Sequence, residues 1–423
     1  MKSERVETYK RTVLPNGLRI ITESIPYVRS VSLGLWLDVG SRDEPLSSLG
    51  ISHFIEHMVF KGTRTRSPSE IASHLESVGG VLNAFTGREQ TCFYAKFLDE
   101  HLDKGVEILF DLINNPLFGS SDIEKEKKVI LEEIRDIEDA PGELVHDLFA
   151  EAIFSDHPLG RPILGNKKTV MGLNRGKVLR FVGKHYRPAN IIVAASGNLE
   201  HNRLVKITKK YADRNNNSPV SPNNRKKPKF KALRQVFRRN TNQTHICLGL
   251  PTKEFTNESR GAMLLLNSIL GGGMSSRLFQ HLREELGLVY TVFSFLDFFA
   301  DNGIFGIYLG TEKTNAGRAL GAIRHEIDRI TENRLTDLEL ASAKEQLKGN
   351  LMLGLENTSN RMNRLAKHEL LANRHITLDE TVAGIDAVTA DDVLKVAREV
   401  FLSNQFSAVT LGPVKGNIYA ALE

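Results

Sequence analysis

The sequence predicts an α+β protein made of two duplicated α/β halves, each a sheet covered by helices. Strand and helix patterns are mixed along the 423 residues, without the regular alternation of a parallel βαβ fold. Similar segments recur at a nearly constant offset, and a polar stretch separates the two copies. Apolar residues make up 41% and charged residues 25% of the chain, a composition that supplies large cores and excludes disorder as the main state.

Residue patterns define the elements of the first half. Short runs rich in β-branched residues predict strands at Arg19–Glu23, Val31–Val39, Gln90–Phe97 and Ile191–Ser196. Apolar residues at helical spacing predict helices at Ile51–Phe60, Ser69–Val78, Asp103–Ile113, Asp122–Asp139 and Gly176–His185. Turn and cap signals are Asn16-Gly17 for a hairpin turn, Ser67 with Glu70 for a capping box, and Ser121 as the cap of the long acidic helix.

Three segments of the first half return in the second half in the same order. The matched pairs are Val31–Leu35 with Ile246–Leu250, Leu75–Asn83 with Leu282–Tyr290, and Asn190–Gly197 with Gln405–Gly412. Their offsets are 215, 207 and 215 residues. A common order at nearly one offset indicates duplication. We therefore predict a first half at 1–213, a linker at 214–231 rich in Asn, Pro and Lys, and a second half at 232–423.

Charge and apolar runs exclude several classes of protein. The net charge is only +5, and the basic residues of 223–240 lack the interleaved aromatics of a nucleic-acid surface, so we expect no nucleic-acid partner. No apolar run approaches the ~20 residues of a membrane span. The first residues contain neither an export signal nor a transit pattern. The expected location is the bacterial cytoplasm, although a mature organellar chain would look the same.

One motif in the predicted helix Ile51–Phe60 points to metal chemistry. His53 and His57 are four residues apart and share a helix face, so both imidazoles can reach a single zinc ion. Glu56 projects near the same face and can act as a general base. The order H-x-x-E-H is that of the inverzincins. Five positions with three fixed residues also recur by chance, and a catalytic site needs a third ligand from elsewhere.

The acidic helix Asp122–Asp139 is the best source of that third ligand. It contains eight acids against four bases, and Glu126 and Glu133 lie seven residues apart on one face. One carboxylate can bind the metal while the other orients a ligand. Spacing alone leaves the choice between Glu132 and Glu133 open.

Motifs over essentially the whole chain resemble those of the M16 metallopeptidase family. They are Leu14-Pro-Asn-Gly-Leu18, Gly40-Ser-Arg-Asp-Glu44, Gly50–Thr63 around the histidines, Gly80–Thr86, Val129–Ile134, His157-Pro-Leu-Gly160, Gly271–Leu278 and Gly287-Leu-Val-Tyr290. The chain is most similar to the subfamily of the mitochondrial processing peptidase and its bacterial relatives. The resemblance implies a zinc metalloendopeptidase that cleaves peptides or extended segments.

The resemblance also implies site residues. Glu133 becomes the third ligand of one zinc ion per chain, and Glu126 the carboxylate that supports a ligand. The stretch Leu82, Asn83, Ala84 and Phe85 becomes an edge strand that takes the substrate as an added strand. Arg277 and Tyr290, from the inactive half, are expected to contact the substrate. The halves are expected to close as a clamshell chamber, and we expect a homodimer.

The second copy lacks the metal motif. Its segment Ala262–Leu270 aligns with the zinc helix and contains neither histidine nor acid, and Lys348 aligns with Glu133. One half is therefore expected to be catalytic and the other inactive. Because the family also contains non-catalytic members, the alternative function is a scaffold or partner subunit of the same fold. The intact motif with Glu133 argues for the enzyme.

Overall fold

The computed structural model describes residues 8–212, 225–402 and 406–422. These residues form two compact units, and neither unit is continuous in sequence. The first unit contains the described residues of 8–134, 161–225 and 354–375, and the second contains those of 135–160, 226–353 and 376–422. The compact units therefore differ from the two sequence halves, because each half contributes one segment to the other unit.

The elements alternate irregularly along the chain. Up to residue 212 they are β1 (Thr8–Val13), β2 (Arg19–Ser24), β3 (Ser30–Leu37), α1 (Ile51–Met58), α2 (Pro68–Glu76), β4 (Val81–Thr86), β5 (Thr91–Leu98), α3 (Leu102–Asn114), α4 (Ser120–Glu138), α5 (Pro141–Phe154), α6 (Lys167–Met171), α7 (Arg175–His185), β6 (Ile191–Gly197) and α8 (His201–Ala212). From residue 225 onward they are β7 (Arg234–Phe237), β8 (Thr244–Thr252), α9 (Arg260–Gly271), β9 (Val289–Phe298), β10 (Gly303–Thr311), α10 (Ala316–Glu332), α11 (Asp337–Gly354), α12 (Thr358–Ala372), α13 (Leu378–Asp386), α14 (Ala390–Phe401) and β11 (Ser407–Leu411).

Each unit is built on one mixed sheet, and the five strands of the second sheet share the topology of the first sheet without β1. The first has the order β1-β2-β6-β3-β5-β4, and the second β7-β11-β8-β10-β9. The parallel pairs β2–β6 and β11–β7 occupy the same place in the two sheets, and the remaining pairs are antiparallel. The repeated segments Val31–Leu35 and Ile246–Leu250 lie in the matching strands β3 and β8. The predicted fold class is confirmed.

One face of each sheet carries the main core, and the opposite face is covered by a single helix. In the first unit, α12 packs on β2, β3 and β6, where Met362, Leu365 and Ala366 bury Trp36 and Ile21. In the second unit, α5 packs on β8 and β11. The two covering helices are the segments that the halves exchange.

The predicted first-half elements occur where the patterns place them, with ends shifted by a few residues. The turn at Asn16-Gly17 joins β1 to β2, and Gly17 has a positive φ of 86°. Ser67 and Glu70 form the expected capping box of α2. The expected cap at Ser121 is wrong, because α4 already begins at Ser120. Strand β1 and helices α5, α6 and α8 were not predicted.

Candidate metal centre

The start of α1 is held by a buried carboxylate nearby in sequence. Glu44 accepts hydrogen bonds from the main-chain N–H groups of Gly50 at 2.7 Å and Ser52 at 2.8 Å. These are two of the N–H groups that a helix start leaves unsatisfied. Gly50 has a φ of 88°, and a Cβ there would lie 2.4 Å from the carbonyl oxygen of Leu164. The entry into the histidine-bearing helix is thus fixed on two sides.

Replacing Glu44 by alanine is expected to destabilise the protein by about 1–3 kcal/mol, because two buried N–H groups lose their acceptor. Urea unfolding of the metal-free chain measures this change in the free energy of unfolding. Glu70→Ala is the matched control, since Glu70 caps α2 at an exposed position. Equal losses in the two variants would contradict a special role for the buried cap.

Three side chains named from the sequence converge beside α1. His53 Nε2 lies 3.8 Å from one oxygen of Glu133, and His57 Nε2 lies 3.6 Å from the other. The three ligand atoms lie within 4.8 Å of one another. Among the residues that the structure describes, this is the one such group of histidine, cysteine and carboxylate side chains. Buried Ile55 and Phe54 of α1 and buried Ile130 of α4 anchor the two helices in the core.

Glu126 contacts the same centre from one side. Its carboxylate accepts a hydrogen bond from His57 Nδ1 at 2.8 Å and pairs with Lys61 Nζ at 2.7 Å. With Nδ1 donating, a neutral His57 keeps the lone pair of Nε2, on the side of Glu133, for a metal ion. The structure thus places Glu126 and Glu133, two turns apart on α4, on either side of one imidazole.

The surroundings shift the pKa values of two histidines and two glutamates of the site in different directions. Burial lowers the pKa of His53 to about 4, and the charge of His57 adds to this. Burial also favours the neutral form of His57, but the hydrogen bond to Glu126 and the nearby carboxylates outweigh it and raise its pKa. Burial opposes ionisation of Glu126, yet its bonds to His57 and Lys61 hold its pKa below the usual value. Burial raises the pKa of Glu56, which suits a general base.

The converging residues fit a zinc ion. Two imidazoles and one carboxylate form a common donor set of catalytic zinc sites. Two atoms bound to one tetrahedral zinc ion at ~2.0–2.1 Å lie about 3.4 Å apart. The observed separations of 3.6 Å and 3.8 Å from Glu133 are close to that value. With all three ligand atoms within 4.8 Å of one another, His53, His57 and Glu133 can converge on one zinc ion.

Strand β4 contains the four residues expected to bind substrate, and it lies at the edge of the first sheet. Asn83 is exposed and its side chain accepts a hydrogen bond from the N–H of Ala84 at 2.8 Å. Leu82 and Ala84 pack toward the main core, whereas Phe85 contacts Trp36 on the opposite face, with ring centroids 5.3 Å apart. The strand therefore offers its main chain, rather than the side chain of Phe85, as an open edge.

Arg277 and Tyr290 lie in the second unit. Tyr290 is in the edge strand β9 and is 71% exposed. Arg277 forms a two-pronged ion pair with Glu339, at 2.8 Å and 2.9 Å. That pair engages two of its five guanidinium N–H groups and leaves three. Both residues keep donors available, and their contact with substrate stays a prediction.

Several contacts of the first unit were not found by sequence reasoning. Thr86 donates a hydrogen bond to Glu56, and Lys61 pairs with Glu126. Arg225, taken from the sequence as part of an exposed linker, forms ion pairs with Asp38 and Asp43 at 2.8 Å and 2.7 Å. Lys61 lies four residues after His57, a helical spacing that could have indicated its contact with the site. Thr86 and Arg225 lie too far in sequence from their partners Glu56, Asp38 and Asp43 for any such signal.

Comparisons with known proteins show the family of the chain. Residues 19–167 match the family described as insulinase (peptidase family M16), and residues 172–347 match the peptidase M16 inactive domain. An uncharacterized zinc protease of Streptomyces coelicolor is 43% identical over 97% of this chain and 91% of its own. An uncharacterized zinc protease of Bacillus subtilis is 38% identical over 97% of this chain and 99% of its own.

Solved structures share the fold. A protease from Helicobacter pylori matches with a TM-score of 0.91 at 23% identity, over 96% of this chain and 100% of its own. A structure titled as the peptidase M16 inactive domain from Pseudomonas fluorescens matches with a TM-score of 0.90 at 19% identity, over 97% and 98% of the two chains. At these identities the likeness concerns the fold alone.

Proposed function

Since the chain belongs to peptidase family M16, we propose that it is a zinc endopeptidase that hydrolyses peptides or extended polypeptide segments. One observation carries the proposal: the Nε2 atoms of His53 and His57 and the carboxylate of Glu133 converge, with Glu56 on the same helix. The full-length similarity to proteins named zinc proteases supports both the metal and the activity.

The residues of the site have distinct tasks in this proposal. His53, His57 and Glu133 hold the metal, and Glu126 keeps His57 in the tautomer that binds it. When bound, zinc lowers the pKa of a water molecule and polarises the scissile carbonyl. Glu56 accepts a proton from the attacking water and later delivers it to the amine of the departing peptide. The open edge of β4 pairs with the substrate main chain.

Metal removal and reloading test the proposed activity. The full chain, loaded with one equivalent of zinc, is expected to cleave quenched peptides at internal bonds, and a chelator is expected to abolish cleavage until zinc is returned. Mass spectrometry of the products separates endopeptidase from terminal cleavage. A zinc-loaded chain that cleaves nothing would contradict the proposal and favour the non-catalytic scaffold.

Tyr290 is proposed to donate a hydrogen bond to the oxyanion of the tetrahedral intermediate. Removal of such a donor costs roughly 10²–10³-fold in kcat, so Tyr290→Phe is expected to lower kcat with zinc content and melting temperature unchanged. Tyr27→Phe is the control, because Tyr27 is 83% exposed in the first unit. A Tyr290→Phe protein with the kcat of the unmodified chain would refute this role.

The homodimer, the enclosed chamber, the likeness to processing peptidases and the bacterial cytoplasm stay predictions. Among the described residues, no helix combines the length and the apolar character needed to cross a membrane.

A further inference from the structure

Thr86, the last residue of β4, contacts the proposed general base directly. Its hydroxyl donates a hydrogen bond to Oε2 of Glu56 at 2.5 Å. Glu56 lies on α1, thirty residues earlier in the chain, and α1 packs against β4. The bond occupies one carboxylate oxygen and leaves the other, Oε1, for a proton from the attacking water.

The main chain of Thr86 faces the open edge of the sheet. Gly87 N–H donates to the carbonyl of Gln90 in the turn that joins β4 to β5, so Gly87 and Gln90 form a hydrogen-bonded pair. Pairs alternate along an antiparallel ladder, and Thr86, Ala84 and Leu82 therefore turn their main-chain groups away from β5. The N–H of Ala84 donates to the side chain of Asn83 rather than to β5, which agrees with this alternation.

Side chains stand perpendicular to the sheet, whereas main-chain N–H and C=O groups lie in its plane. The side chain of one residue can therefore contact α1 while its main chain faces the edge. Leu82 and Ala84 pack on the core face that includes α1, and Thr86 follows them in the same alternation. We propose that Thr86 is a positioning residue that links substrate to base. Its main chain pairs with the added substrate strand, and its hydroxyl holds Glu56 so that Oε1 is directed at the attacking water. This inference rests on the proposed peptidase function.

The test compares three variants of the zinc-loaded full chain. Thr86→Val keeps the shape and removes the hydroxyl, and we expect roughly tenfold lower kcat, since an oriented general base contributes ~10²–10⁴-fold. KM and zinc affinity are expected to stay within twofold. Thr86→Ser restores the hydroxyl and should recover most of kcat. Thr91→Val is the control, because Thr91 pairs with Thr86 across the hairpin and bonds instead to the carbonyl of Val39.

Two further measurements separate positioning from a merely structural role. In a Glu56→Gln background, Thr86→Val is expected to cause no additional loss of residual activity, because the base it orients is gone. A crystal structure of Thr86→Val should show the Glu56 carboxylate rotated from its original position, a readout independent of activity. An unchanged kcat, an equal loss in Thr91→Val, or an unmoved carboxylate would overturn the inference. Failure of the parent enzyme to cleave any peptide would instead refute the proposed function.

Discussion

Replacing Glu56 by glutamine is expected to lower kcat by roughly 10²–10⁴-fold while zinc stays bound. Glutamine has nearly the shape of glutamate, and its side-chain oxygen can still accept the hydrogen bond from Thr86. It cannot accept a proton from water. The loss should therefore appear in kcat, with KM and folding little changed.

Steady-state cleavage of a quenched peptide gives kcat and KM, and elemental analysis gives zinc per chain. The bound zinc is itself the control, since a variant that loses the metal would lose activity for another reason. A Glu56→Gln protein with full zinc content and near-normal kcat would show that another group takes the proton.

The second large effect concerns the metal ligand Glu133. Its replacement by alanine leaves only His53 and His57, and we expect zinc affinity to fall by more than roughly 100-fold, because loss of a residue that merely supports a ligand already costs ~10–100-fold. Competition with a chromogenic chelator measures this affinity. Glu132→Ala is the matched control, because Glu132 is the exposed neighbour on the same helix.

Glu126→Gln is expected to lower zinc affinity by an amount between those of Glu132→Ala and Glu133→Ala. Glu126 does not face the other ligand atoms but bonds to His57 Nδ1, so a fall of roughly 10–100-fold in zinc affinity is expected. If Glu132→Ala weakened zinc binding more than Glu133→Ala, the identification of the third ligand would be wrong.

Sequence reasoning reached the fold and the two histidines for physical reasons that are local or repeated. The i, i+4 spacing of His53 and His57 fixes their common face wherever the helix lies. The duplication predicts matched strand positions, as β3 and β8 show. Glu133 was singled out from Glu132 by resemblance, and helix phase in three dimensions places its carboxylate beside both histidines.

The remaining contacts depend on packing between distant segments. No periodicity connects Thr86 to Glu56 or Arg225 to Asp38, since each pair meets only after the sheet has formed. The division of the chain into these compact units could not be predicted from the sequence either. Helix α12 lies in the second half of the sequence, yet its apolar residues cover one face of the first sheet.

That exchange of helices has a consequence for biosynthesis. The first sheet has all its strands once β6 ends at Gly197, but its covering helix ends only at Ala372 of the 423-residue chain. At ~5–20 residues per second, a ribosome needs about 10–35 s to make the intervening segment. During that interval the nascent chain presents Trp36, Ile21 and their neighbours without the helix that buries them. The emerging first half therefore has an uncovered apolar sheet face throughout that interval, which favours aggregation of the incomplete chain.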